Sequence, residues 1–96
     1  MNTPFIVLAS LFIQPGRELE FRQFETEAAR IMKKHGGQIT HVMRPAASSA
    51  GEPLPYEIHV VMFPSREQFE AYRTDEDLAS FAALRQAAIA RTDVVM

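Results

Sequence analysis

No cysteine occurs in the chain. That absence removes disulfide staples, thiolate metal sites and cysteine nucleophiles together, and it fits a reducing, cytoplasmic setting. An excess of either charge is also missing: 10 Lys and Arg against 12 Asp and Glu give a formal net charge of −2, with both signs interspersed. Nucleic acid and anionic lipid are bound through basic patches, so neither is an expected partner. The apolar run Phe5 to Ile13 falls far short of the roughly 20 residues that span a bilayer. No Lys or Arg precedes it and Gln14-Pro15-Gly16 follows, so it lacks the basic start and small-residue cleavage site of a signal peptide. There is no phosphate-cradling Gly-rich loop, no His-Glu-x-x-His, no nucleophile elbow and no internal repeat. Ser48-Ser49 has no base to activate it.

What is present suits one small domain spanning residues 1–96, with 47% hydrophobic and 23% charged residues as in soluble globular proteins. A chain of this length buries only roughly 60–65% of its unfolded surface, so it gains much from a partner subunit. Phe5 to Ile13, β-branched and aromatic, reads as a strand ended by Pro15-Gly16. Both of its faces are apolar: Phe5/Val7/Ala9/Leu11/Ile13 on one side and Ile6/Leu8/Ser10/Phe12 on the other. A strand on a one-sided sheet would alternate, so this one is expected to be covered front and back.

Arg17 to His35 has a helical stripe of Phe21, Phe24, Ala28, Ile31 and His35, acidic residues early, Lys33-Lys34 late, and Gly36-Gly37 as its stop. At the end of that helix His35 is accounted for by the dipole alone. Gln38 to Arg44 and Tyr56 to Phe63 are strands flanking a small, polar, proline-bounded loop. Ser65 caps a short helix to about Arg73. Asp75 caps a second helical stretch, Glu76 to about Ala90, and Thr92 to Met96 is a last strand. The order β-α-β-β-α-β predicts an α+β, ferredoxin-like domain: a four-stranded antiparallel sheet with helices on one face. The open face predicts pairing with a second copy into a dimeric α/β barrel.

Phe63-Pro64-Ser65 after an apolar strand, Phe69 and Tyr72, Asp75-Glu76, Leu84-Arg85, a closing Val-Val strand and Lys33-Lys34-His35-Gly36-Gly37 together resemble an uncharacterised dimeric α/β-barrel family, domain of unknown function 1330. The resemblance covers nearly the whole chain. It implies kinship with a superfamily that holds antibiotic-biosynthesis monooxygenases, haem-degrading oxygenases, muconolactone isomerases and members without known activity; fold alone does not choose among them. Two positions depart from the family pattern. Met62 stands where a Glu is usual before Phe-Pro-Ser, and His41-Val42 where an Arg is usual in the second strand.

A hairpin around residues 46–53 places Arg44 near Tyr56 and His41 near His59. In that register His41, Met43, Glu57 and His59 share one face, and Thr40, Val42, Arg44, Tyr56 and Ile58 the other; a slip of one residue separates the histidines. Two histidines and a carboxylate on one face suit either an acid/base pair or a metal set, against the plainer reading of an amphipathic sheet face or dimer seam. Arg44 and Tyr56 suit an anionic or phenolic ligand, or an exposed cross-strand contact. Arg85, among Phe81, Leu84 and Ala88, suits a ligand or a structural pairing with Asp75 or Asp77. Phe21, Phe24, Phe69 and Phe81 suit an aromatic pocket or plain core.

The candidate catalytic residues are therefore His41, His59, Tyr56 and Arg85, with no cofactor and no metal expected. A small-molecule binder or cofactor-independent enzyme predicts a cavity reached by at least one of them. A non-catalytic interaction module predicts a filled interior and exposed histidines. Haem or metal binding requires a histidine pointing into an open cavity.

Overall fold

The computed structural model describes residues 3–96. Its elements run β1 (Phe5–Ile13), α1 (Glu18–Lys34), β2 (Gln38–Met43), β3 (Glu57–Phe63), α2 (Arg66–Arg73), α3 (Glu76–Ala79), α4 (Ala82–Ala88) and β4 (Ile89–Val95). The strands form one antiparallel sheet in the order β2-β3-β1-β4. This is the expected ferredoxin-like α+β arrangement. No described helix is long and apolar enough to cross a membrane.

The last helical stretch differs from expectation. It breaks in two at Ser80-Phe81, and β4 begins at Ile89 rather than Thr92. The Ser80 hydroxyl donates to the Asp77 carbonyl at 2.6 Å, and the Phe81 N–H bonds only three residues back, to Leu78, which tightens and ends the turn. Ile89 is β-branched and buried, and it pairs with Ile13 on β1, so packing draws it into the sheet.

The end of α1 is fixed from two sides. Gly36 takes φ +73°, a left-handed conformation that suits glycine. Gly37 is needed for space: a Cβ there would collide with the Phe63 ring and meet Met32 Cγ at 2.6 Å. Gly37→Ala should therefore cost about 1–3 kcal/mol through overpacking, read as a lower urea midpoint with unchanged slope. Beyond the glycines' neighbour, His35 Nε2 donates to Asp75 at 2.7 Å, and Lys34 Nζ reaches Asp75 at 3.1 Å and Asp77 at 3.0 Å. His35, Lys34 and the Asp77 N–H hold the Asp75 carboxyl well below the usual carboxylate range. His35 is thus a clasp to the turn before α3, more than a dipole complement.

All helices lie over one face of the sheet. Val7 and Leu11 of β1 and Glu57, His59, Val61 and Phe63 of β3 are buried beneath them. The interior divides into two clusters: Leu11, Phe21, Phe24, Ala28, Ala88 and Ile89 in one, and Val7, Met32, Val61, Phe63 and Phe69 in the other. Among the described residues, the other side of β1 has no such cover: Ile6 and Leu8 are 47% and 39% exposed.

Candidate functional site

Residues of both clusters line a cavity of about 530 Å³ between helices and sheet. It is kept open by small side chains, Ala9 of β1, Ala28 and Ala29 of α1, and Ala82 of α4. The rest of its wall is largely apolar, with Phe21, Phe24 and Phe69 contributing rings. Phe81 takes the plainer of its two readings and packs against the core.

One region of this wall is polar. Along β3, alternation puts Glu57 and His59 on the helix-facing side together with Val61, 5% and 5% exposed. His59 Nε2 donates to Glu57 Oε1 at 2.8 Å and lies 3.6 Å from Glu25 Oε1. Arg44 closes the group from the edge strand, its Nε and Nη2 both 2.9 Å from Glu57 Oε2. Glu25 arrives from α1 because it stands four residues after Phe21 and three before Ala28, inside the apolar stripe.

The two carboxyls are driven apart in acidity. Burial, then the hydrogen bond and negative charge of Glu57, push Glu25 up to about 8. Burial pushes Glu57 up as well, but hydrogen bonds from Glu25, His59 and Arg44 outweigh it and hold Glu57 below its ordinary value. At neutral pH, Glu25 is a carboxylic acid beside a carboxylate. Two such neighbours share a proton because both cannot ionise in a poorly solvated site.

Of the candidate catalytic residues, His59 and Arg85 line the cavity. His41 does not join His59. The register Gln38↔Met62 and Ile39↔Val61 is the expected one, but a bulge between Ile39 and His41 shifts the rest by one residue. His41 then pairs with Val60 and sits exposed on the open face, while Val42 faces His59. The same shift brings Arg44 onto Glu57, from which the expected register had separated it. Arg44 still stacks on Tyr56, with 4.7 Å from guanidinium to ring centroid. Tyr56 also packs edge-on against Phe21 at 5.5 Å, so it buttresses the polar group from outside the cavity wall. Arg85 pairs with neither Asp75 nor Asp77; its Nη2 contacts the Thr92 hydroxyl at 3.3 Å.

The metal set weighed from sequence, His41 with His59 and Glu57, is not assembled. A different triad is: Glu25, Glu57 and His59 offer ligand atoms within 4.8 Å of one another. A divalent cation would have to displace the shared proton, and Arg44 already supplies positive charge to Glu57. Sequence reasoning missed Glu25, although its place within the Phe21–Phe24–Ala28 stripe marks a carboxyl on a buried helix face.

Among solved structures, a protein of unknown function from Rhodopseudomonas palustris superposes with a TM-score of 0.85 at 13% identity, over 99% of this chain and 81% of that one. A protein from Caulobacter crescentus provisionally assigned as an antibiotic biosynthesis monooxygenase gives 0.74 at 14% identity, over 98% and 87%. A DABB family protein with a ferredoxin-like fold from Mesorhizobium loti gives 0.67 at 13%, over 96% and 92%. At these identities the likeness is one of fold. No curated protein matches the sequence. The family's two missing groups differ in consequence: Met62 pairs with Ile6, an exposed residue of the open face, whereas Arg44 returns a guanidinium to the second strand's end. Residues 9–96 match the family model for domain of unknown function 1330, and the chain belongs to that family.

Proposed function

We propose that the chain is a cofactor-independent enzyme of the isomerase type, moving protons on an apolar small molecule held between sheet and helices. One observation carries this reading: a carboxylic acid with its acidity tuned to about 8, Glu25, stands 3.6 Å from a buried His59–Glu57 pair on the wall of an open cavity. Groups whose environments split their pKa values supply an acid and a base side by side. With a carbonyl compound bound, the His59–Glu57 pair takes a proton from the carbon beside the carbonyl. The C–H electron pair forms a carbon–carbon double bond, the carbonyl π pair moves to oxygen, and that oxygen takes the Glu25 proton. The protonated His59–Glu57 pair then delivers a proton to carbon as the enol oxygen returns its own to Glu25 and the carbonyl re-forms, which completes an isomerisation or, in heavy water, an exchange. The largely apolar wall strengthens each of these interactions by excluding water.

Deuterium exchange at the activated carbons of 2-tetralone, followed by NMR in heavy water, tests this. Wild-type protein should accelerate exchange, with activity falling on the alkaline side near pH 8 as Glu25 ionises. Glu25→Gln should lose most of the acceleration, roughly 100-fold for one acid/base group. An unchanged rate in that variant would refute the assignment.

The same reading includes a homodimer joined through the open sheet face. A 10.8 kDa monomer normally exposes about 5,500 Å², whereas this chain exposes 6354 Å². The excess is close to the roughly 800 Å² each partner buries in a standard interface. Ile6, Leu8, Val95 and Met43 supply its apolar surface.

A further inference from the structure

The cavity has a second polar end. Its floor crosses the sheet from His59 on β3, past Val7 and Ala9 on β1, to Thr92 and Val94 on β4. The proton-sharing group therefore lies on one side of β1 and Thr92 on the other. Two arginines line the cavity, Arg73 and Arg85. Arg73 is engaged: its Nη1 is 3.3 Å from Glu70, and its guanidinium lies 5.5 Å over the Phe69 ring. Arg85 is different. Its hydrogen-bond partner is the neutral Thr92 hydroxyl at 3.3 Å, and among the described residues no carboxylate lies within 4.0 Å of it. Asp75 and Asp77 are occupied by His35 and Lys34. The Tyr72 hydroxyl, also on the cavity wall, is near enough for the Arg85 charge to act on it.

We infer that the cavity takes an apolar carboxylate of aromatic size, its carboxylate on Arg85 and Thr92 and its far end at Glu25, Glu57 and His59. This rests on the proton-transfer reading of the same cavity and adds the ligand's charge and direction. A guanidinium presents paired N–H donors that match a carboxylate. The walls between the two ends are largely apolar and set with alanines, which admit a flat ring and give a polar body no partner. Direction follows from charge: a carboxylate entering the other way would meet ionised Glu57, and like-charge juxtaposition rejects that pose.

Titration calorimetry of the full chain with 2-naphthoate and with 2-naphthamide, its neutral counterpart, tests this. Wild type should prefer the naphthoate by roughly tenfold or more, equivalent to about 1.4 kcal/mol. Arg85→Gln should reduce that preference below about twofold, while Arg85→Lys should keep part of it as a point charge. Arg66→Gln, on an exposed position of α2, should leave it unchanged. Equal wild-type affinity for both probes, or a preference that survives Arg85→Gln, overturns the carboxylate assignment and leaves the pocket standing. Failure of both probes to bind overturns the pocket reading, and this inference with it.

Discussion

Raising the pH from 5 to 9 should destabilise the wild-type protein by roughly 1–3 kcal/mol, less than the about 1.4 kcal/mol per pK unit of a fully buried group because Glu25 is only half-buried and partly screened by solvent, and Glu25→Gln should abolish most of that loss. In the unfolded chain Glu25 releases its proton near the ordinary value of 4.5, whereas in the folded protein it holds that proton up to about 8. Below pH 4.5 the group is protonated in both states and contributes no difference. Between 4.5 and 8 the folded state binds more protons, so stability falls as pH rises. Above 8 the carboxyl is ionised in both states and the penalty of a half-buried anion beside Glu57 remains.

The groups that set this balance are Glu57, which raises Glu25, and Arg44 and Arg22, whose charges oppose it. Gln has nearly the shape of the protonated acid and can donate its amide N–H to Glu57, so Glu25→Gln keeps the hydrogen bond without the ionisation. Urea unfolding at pH 5, 7 and 9, at one protein concentration, measures the effect. Parallel pH profiles for wild type and variant would mean that Glu25 ionises normally, and the acid of the proposed mechanism would be gone.

Leu8→Lys should convert the proposed dimer into a monomer of 10.8 kDa. Leu8 lies mid-strand on β1, between Val60 of β3 and Val95 of β4, and is 39% exposed in the single chain. A lysine at the centre of the proposed two-fold interface would place two like charges together without water, and central apolar positions dominate binding energy. The dissociation constant should rise at least about 100-fold, or roughly 3 kcal/mol. Leu19→Lys is the control, since Leu19 is 66% exposed on α1, on the opposite side of the sheet. Sedimentation equilibrium distinguishes the states. A wild-type protein still monomeric at roughly 100 µM, well above the micromolar Kd even weak standard-size interfaces reach, would remove the dimer.

Much of the architecture could be read from the chain. Period-two runs, the Pro15-Gly16 and Gly36-Gly37 stops and the Ser65 cap are local signals, and the Ser65 hydroxyl does accept the Gln68 N–H at 3.2 Å. The end of the last helix could not be read in this way, because Ala82–Ala90 is rich in helix formers and Ile89 enters β4 through its pairing with Ile13. His59 is legible in the sequence because alternation along β3 is a local property. His41 cannot be placed from the sequence, because one extra residue near Thr40 reverses every later side chain on β2 and no residue type there marks a bulge.

The sequence by itself determined the element order, the fold class and a first strand too apolar on both sides for one chain to cover. Only the tertiary structure decided the site. Glu25 of α1, Arg44 just past β2, and Glu57 and His59 of β3 stand up to 34 positions apart, and their partnership depends on how α1 lies over the sheet and on one shifted register. The unusual acidity of Glu25 follows from that meeting, since burial and a neighbouring carboxylate are properties of a place in space rather than of a position in the chain.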